Sequence, residues 1–215
     1  LDGACQSSLA ATSDPVAQVA LVAVNQLSAC GGDAEAVAFL DKAVADLTDA
    51  EAPRNWHRTA HALVALAGAD PGRATDALAR VATSRVWQLR MYAARAAAVL
   101  RQRTALDALA ADEHPNVVEA AITGLASTSG HAADTVFVAA LQHPEFQVVR
   151  AAALALAGTP APAAAVPVLR AAFDRLQGEA RAGAIDARAA VRDALVSLGE
   201  AVRAPKPSVQ PAAPL

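Results

Sequence analysis

The segment HPEFQVVRAAALALAG, residues 143–158, decides the fold. Counting back from Leu156, apolar side chains stand three, four and seven residues earlier, at Ala153, Ala152 and Val149. Those offsets lie on one stripe of a 3.6-residue helix. Pro144 stands at its start, where a missing N–H costs nothing in a first turn, and Gly158 closes it as a helix stop does. The segment is a helix that buries one face.

The pattern recurs along the chain. Leucines 27, 66, 100, 125, 156 and 198 each follow an alanine by four residues: Ala23, Ala62, Ala96, Ala121, Ala152 and Ala194. Seven residues before the leucines stand Ala20, Thr59, Ala93, Val118, Val149 and Val191. Pro15, Pro53 and Pro115 mark further starts, with Asp14 and Ser84 as the expected N-caps. Gly31, Gly68 and Gly199 mark further stops. Shorter amphipathic stretches fill the intervals, at 33–47, 75–81, 104–110, 132–141 and 165–176, and the residues before Ser13 complete the first pair. Successive leucines lie 39, 34, 25, 31 and 42 residues apart, one helical hairpin plus loops each time. The expected fold is all-α, an α-solenoid of about six helical hairpins over residues 1–199. Residues 159–163 form a short spacer within it, and residues 200–215 a Pro/Ala-rich tail or linker.

In detail, residues 143–158 resemble the second helix of a bacterial HEAT repeat: a polar residue and proline, then Val-Arg, then alanine and leucine up to glycine. DPVAQVALVAVNQLSACGG (14–32) and HPNVVEAAITGLA (114–126) match with one or two departures, and ARAAVRDALVSLG (187–199) in its second half. The stretches around Trp56 and Trp87 match only in the alanine-leucine stripe. The resemblance covers residues 1–199 and implies an α-α superhelix that holds a protein or peptide partner. Bacterial arrays of this type can be fused to other domains, including cyclophilin-type prolyl isomerases. An alternative is therefore that the chain is the adaptor region of a larger enzyme.

Composition agrees with the helical reading. The chain is 54% hydrophobic but 3% aromatic, with 61 alanines, which suits closely packed helices better than strands. The apolar run at 151–157 falls well short of the roughly 20 residues a membrane span needs. Cys5 and Cys30 lack metal-site spacing. Both belong to the first helix pair and could be bridged, but the favoured reading is two buried thiols.

No catalytic constellation stands out. His57 and His61 are one turn apart, as a metal pair can be, but Arg58 stands where the zincin motif requires Glu and no third ligand is evident. Deoxyhypusine hydroxylase, a HEAT-repeat metalloenzyme, binds iron with His-Glu pairs, and this sequence has none, only Glu113-His114 in reverse order. Phosphate-binding glycine loops and a Gly-x-Ser-x-Gly elbow are missing, and no residue suggests the chemistry of the HEAT-like phycobilin lyases. His114 and His143 are read as caps before prolines. The expectation is no catalytic residue, no metal and no cofactor.

Charge carries the functional signal. Residues 1–53 hold eight acids and one base, net −7; residues 54–103 hold nine arginines and two aspartates, net +7. Residues 104–149 hold six acids and no base, net −6, and the remainder is net +3. Because sequence order is spatial order in a solenoid, a basic band should cross the second and third repeats between two acidic ones. Arginine pairs with carboxylates through a rigid fork, and tryptophan with arginine is a typical interface composition. Arg54, Trp56, Arg58, Arg85, Trp87 and Arg90 are the candidate partner-binding residues, suited to an acidic protein or peptide. The adjacent −6 band disfavours nucleic acid, the other alternative for such an array.

Overall fold

A computed structural model describes residues 2–45, 47 and 56–202, and no strand occurs among them. Arg54, Pro53 and the tail residues 203–215 lie outside the described residues. The helices fall into the expected pairs. They are α1 (Asp2–Ala11) with α2 (Ala17–Gln26) and α3 (Ala34–Ala45) with α4 (Trp56–Ala69). Next come α5 (Pro71–Val81) with α6 (Trp87–Val99) and α7 (Arg103–Leu109) with α8 (Pro115–Ser129). Last are α9 (Asp134–Ala140) with α10 (Phe146–Leu156) and α11 (Pro162–Leu176) with α12 (Ala182–Ser197). The chain divides into two compact units, Leu1–Val136 and Phe137–Leu215. In the first, α4 packs on α2 and α6, and α6 on α8; in the second, α10 and α11 pack on α12.

The second helix of most pairs starts on the same device. A side chain accepts the N–H two residues on: Asp14 from Val16 (2.8 Å), Ser84 from Val86 (3.2 Å), Asp112 from His114 (2.8 Å) and His143 Nδ1 from Glu145 (3.0 Å). The next residue is left to start the helix, which satisfies donors that no helical bond can reach. His114 adds its own cap, Nδ1 accepting from Asn116 at 3.3 Å. His143 is held below its ordinary value of 6.5 chiefly by burial, consistent with a neutral ring that accepts.

This device sets the register and corrects one part of it. Thirteen residues after Asp14, Asp112 and His143 come Leu27, Leu125 and Leu156, each fully buried. Thirteen after Ser84 comes Ala97, also fully buried, whereas Leu100 is only half-buried and caps α6. The third repeat is therefore anchored on Ala97, three residues earlier than the leucine count implies. Leu198 is likewise half-buried.

Other boundaries shift for local reasons. Helix α5 begins at Pro71 rather than Thr75, because Asp70 accepts from the Arg73 N–H at 3.1 Å and proline fits the first turn. Helix α11 begins at Pro162, so the spacer ends at Ala161. Gly158 and Gly199 stop their helices in the left-handed region, with φ of 71° and 80°. Gly68 stops nothing, since α4 runs through it. A Cβ there would stand 2.2 Å from Ser28 Oγ, and one at Gly31 would stand 2.3 Å from the Ala69 carbonyl oxygen. These two glycines let the ends of α2 and α4 approach closely.

Cys5 and Cys30 form a disulfide, not two thiols. The bridge joins α1 to the residue after the 3-10 turn Leu27–Ala29. The polar sequence of α1 explains why a staple is useful: among its described side chains only Cys5 is buried.

Candidate functional site

Trp56 and Trp87 occupy the same repeat position, the first residue of α4 and α6, and both are half-buried. Each ring lies against an imidazole. Trp56 stacks on His57 with centroids 3.7 Å apart, and Trp87 lies parallel to His114 at 3.9 Å. Since His114 caps α8, Trp87 spans two successive repeats.

The corrected register explains Arg90. It follows Ser84 by six residues, as Ala20, Val118 and Val149 follow their own capping residues, so it sits in the apolar stripe. Its side chain is 10% exposed and forms a two-pronged pair with Asp112, which is 9% exposed, with Nε–Oδ2 at 2.7 Å and Nη2–Oδ1 at 2.9 Å. Nη1 donates to the Ser84 carbonyl at 2.9 Å, and Nη2 also reaches Glu113 at 3.3 Å. The hydrogen bond to Asp112 raises the arginine's pKa against the opposing effect of burial. Burial alone would raise Asp112, but the bonds from Arg90 and the His114 N–H take it below its ordinary 3.8. Arg90 therefore joins two repeats and presents no donors to a partner.

Arg58 and Arg85 are exposed. Arg58 donates to the Thr12 carbonyl at 3.3 Å and lies 5.9 Å from the Phe39 ring, with no acidic partner among the described residues. It lines a groove of about 550 Å³ with Asp14, Pro15, Gln18, Leu21 and His57.

The structure adds a cluster that the sequence pattern did not suggest. Asn25 Oδ1 and His61 Nδ1 are 2.8 Å apart, and His61 Nε2 and the Tyr92 hydroxyl 2.9 Å apart. This chain of contacts crosses α2, α4 and α6. Burial, reinforced by His57 and Arg95, holds His61 below its ordinary 6.5, so the ring is neutral near pH 7. A neutral ring donating from Nδ1 to Asn25 and accepting at Nε2 from Tyr92 satisfies both contacts. With both nitrogens engaged, His61 is not poised as a metal ligand. Arg95, one turn beyond Tyr92 and exposed, lies 4.5 Å from that ring's centroid. Only the spacing of His61, Tyr92 and Arg95 from their buried anchors could have placed them together, and that required the Ala97 register. Beside Arg95 a groove of about 380 Å³ runs between α6 and α8.

No family model matches the sequence, and no curated protein matches it. Solved structures do match in fold. The complex of CpcE and CpcF of phycocyanin lyase from Nostoc sp. PCC7120 matches with a TM-score of 0.53 and 19% identity, over 90% of this chain and 86% of that one. YibA of Escherichia coli matches with a TM-score of 0.56 and 14% identity, over 94% and 83%. The fold is that of helical-repeat solenoid proteins.

Proposed function

We propose that this chain is a non-catalytic protein-interaction scaffold, a bacterial HEAT-type array that binds an acidic peptide or protein on its first unit, around Trp56, Arg58, Arg85 and Trp87. The observation that carries the reading is Arg58: an exposed guanidinium beside a groove of about 550 Å³, making no ion pair among the described residues although Asp14 lines the same groove. A cation left in that position favours an approaching acid electrostatically. The stacked tryptophans nearby offer rigid aromatic area, which loses little entropy on binding. The helical-repeat fold supports the reading because it presents long runs of side chains from successive helices.

A random peptide library selected against the whole chain tests it. Acidic sequences should be enriched, and Arg58→Ala should weaken them by about tenfold, the worth of one charge-assisted hydrogen bond. Enrichment of neutral or basic sequences, or affinities indifferent to Arg58 and Arg85, would sink the proposal.

A further inference from the structure

We infer that Arg95 is the seat for a single acidic side chain of an extended peptide lying in the groove between α6 and α8. The inference rests on the interaction-scaffold reading and adds to it a second seat for an acid on the same unit, at a residue outside those named above.

The arginine is available. It is exposed, and among the described residues it makes no ion pair; its one close partner is the Tyr92 ring. Five residues earlier on the same helix, Arg90 is closed around Asp112. Two arginines of one helix thus have opposite fates, and only Arg95 keeps its charge for something outside the fold.

The arginine is also positioned. A guanidinium against an aromatic face keeps its in-plane N–H groups directed away from the ring, where they fit a carboxylate. The ring is itself anchored, through the Tyr92 hydroxyl to His61 and through His61 to Asn25. Three helices therefore fix the shelf on which Arg95 rests, and a pre-ordered side chain loses less freedom on binding.

The groove sets the size and the number of charges. Its volume of about 380 Å³ suits a few residues, not a globular surface. Met91 and Ala98 supply apolar wall, and Asn116 a side-chain amide. Glu119 stands in the same groove on α8 and disfavours a second acid there. A segment with one carboxylate at the α6 wall fits this arrangement.

The test is a heteronuclear NMR titration of the whole chain with the pentapeptide acetyl-Ala-Ala-Glu-Ala-Ala-amide, its Gln counterpart and inorganic phosphate. The Glu peptide should shift the amides of Tyr92, Arg95, Asn116 and Thr123. Replacing Glu by Gln in the peptide, or making Arg95→Gln in the protein, should weaken that binding about tenfold. Tyr92→Leu, which removes the shelf but keeps the charge, should weaken it less. Shifts centred on His57 and Arg58 would overturn the Arg95 seat while leaving the scaffold reading standing. Equal binding of the two peptides, a response to phosphate alone, or no response to the Glu peptide would also overturn it.

Discussion

Neutralising Asp112 should cost this protein more than any surface substitution. Asp112 and Arg90 are nearly buried together, and the carboxylate also holds the His114 N–H at 2.8 Å. Asp112→Asn keeps the shape and one oxygen but turns an amide toward a buried guanidinium. Breaking a buried pair from one side costs about 3–5 kcal/mol. Each kcal/mol lowers Tm by roughly 2–4 °C in a chain of this size, so a fall of roughly 10 °C is expected. The repeat itself supplies the control. Val118 and Val149 stand where Arg90 does, and Ser84 caps where Asp112 does. Arg90→Val with Asp112→Ser removes both charges, keeps a capping acceptor, and should lose far less than the two single variants together, because replacing a buried pair with apolar packing is often nearly neutral. The pH dependence has a definite sign. A carboxylate whose folded pKa is depressed stabilises the fold above its ordinary value of 3.8 and loses that contribution as pH falls through the folded value. The gap between wild type and Asp112→Asn should be flat near neutrality and close in strong acid. Thermal melts by circular dichroism of wild type, Asp112→Asn, Arg90→Val, Asp112→Ser and the double variant measure all of this. A fall below about 2 °C for Asp112→Asn, or a double variant as unstable as the sum of the singles, would refute the buried-pair reasoning.

Three further outcomes follow from particular residues. Cys5→Ser opens a bridge spanning 25 residues, worth about 3.5 kcal/mol by loop-closure entropy, and hydrogen exchange should quicken in α1 far more than in α8. Arg101 ends α6 with φ of 54°, its N–H bonded to the Ala98 carbonyl and that of Gln102 to Ala97, so Arg101→Gly should relieve left-handed strain and gain about 1 kcal/mol in denaturant melts. His61 has its pKa lowered chiefly by burial, so its neutral form stabilises the first unit above pH 6.5 and that stability is lost as pH falls through the folded value; His61→Gln should flatten this part of the Tm profile.

The helices were legible because packing and capping leave periodic marks. The alanine-leucine stripe located the second helix of every pair, and the polar-residue-proline start placed Pro115 at the first residue of α8, whereas Pro144 stands two residues before α10 begins at Phe146. The same method slipped in α6, where Ala93, Ala94, Ala96 and Ala97 are all fully buried and alanine spacing cannot choose a register. Leu100 drew the count three residues downstream. Ser84 held the information, since its hydroxyl fixes where α6 begins. The slip carried Arg90 out of the core stripe and into the candidate site. The Asn25, His61, Tyr92 and Arg95 cluster stayed hidden for that reason and for a second one. Its members lie on three helices, and which side chains meet across neighbouring repeats depends on angles that no single helix records. Cys5 and Cys30 were a matter of distance between pairs of atoms, which spacing in sequence does not give.

Once the register is fixed, the alternating charge bands of the first unit resolve into two populations. Arg73 reaches back to Asp41, 2.7 Å away in the acidic first band, and Arg90 reaches forward to Asp112 in the acidic third band. Arg103 pairs with Asp107 at 2.8 Å across the same boundary. Three of the nine arginines between 54 and 103 are thus answered by acids of the flanking bands, Arg73 and Arg90 through hairpins that sequence order makes neighbours and Arg103 within α7. Pairs of this kind help to order the stack, since a mismatched neighbour would leave Arg90 buried without its acid. The alternation itself is therefore not the functional signal. On the reading proposed above, that signal lies in two of the other arginines, Arg58 and Arg95, which rest on a carbonyl and a ring instead of a carboxylate among the described residues. Both adjoin grooves of the first unit, and for both the missing partner is an acid.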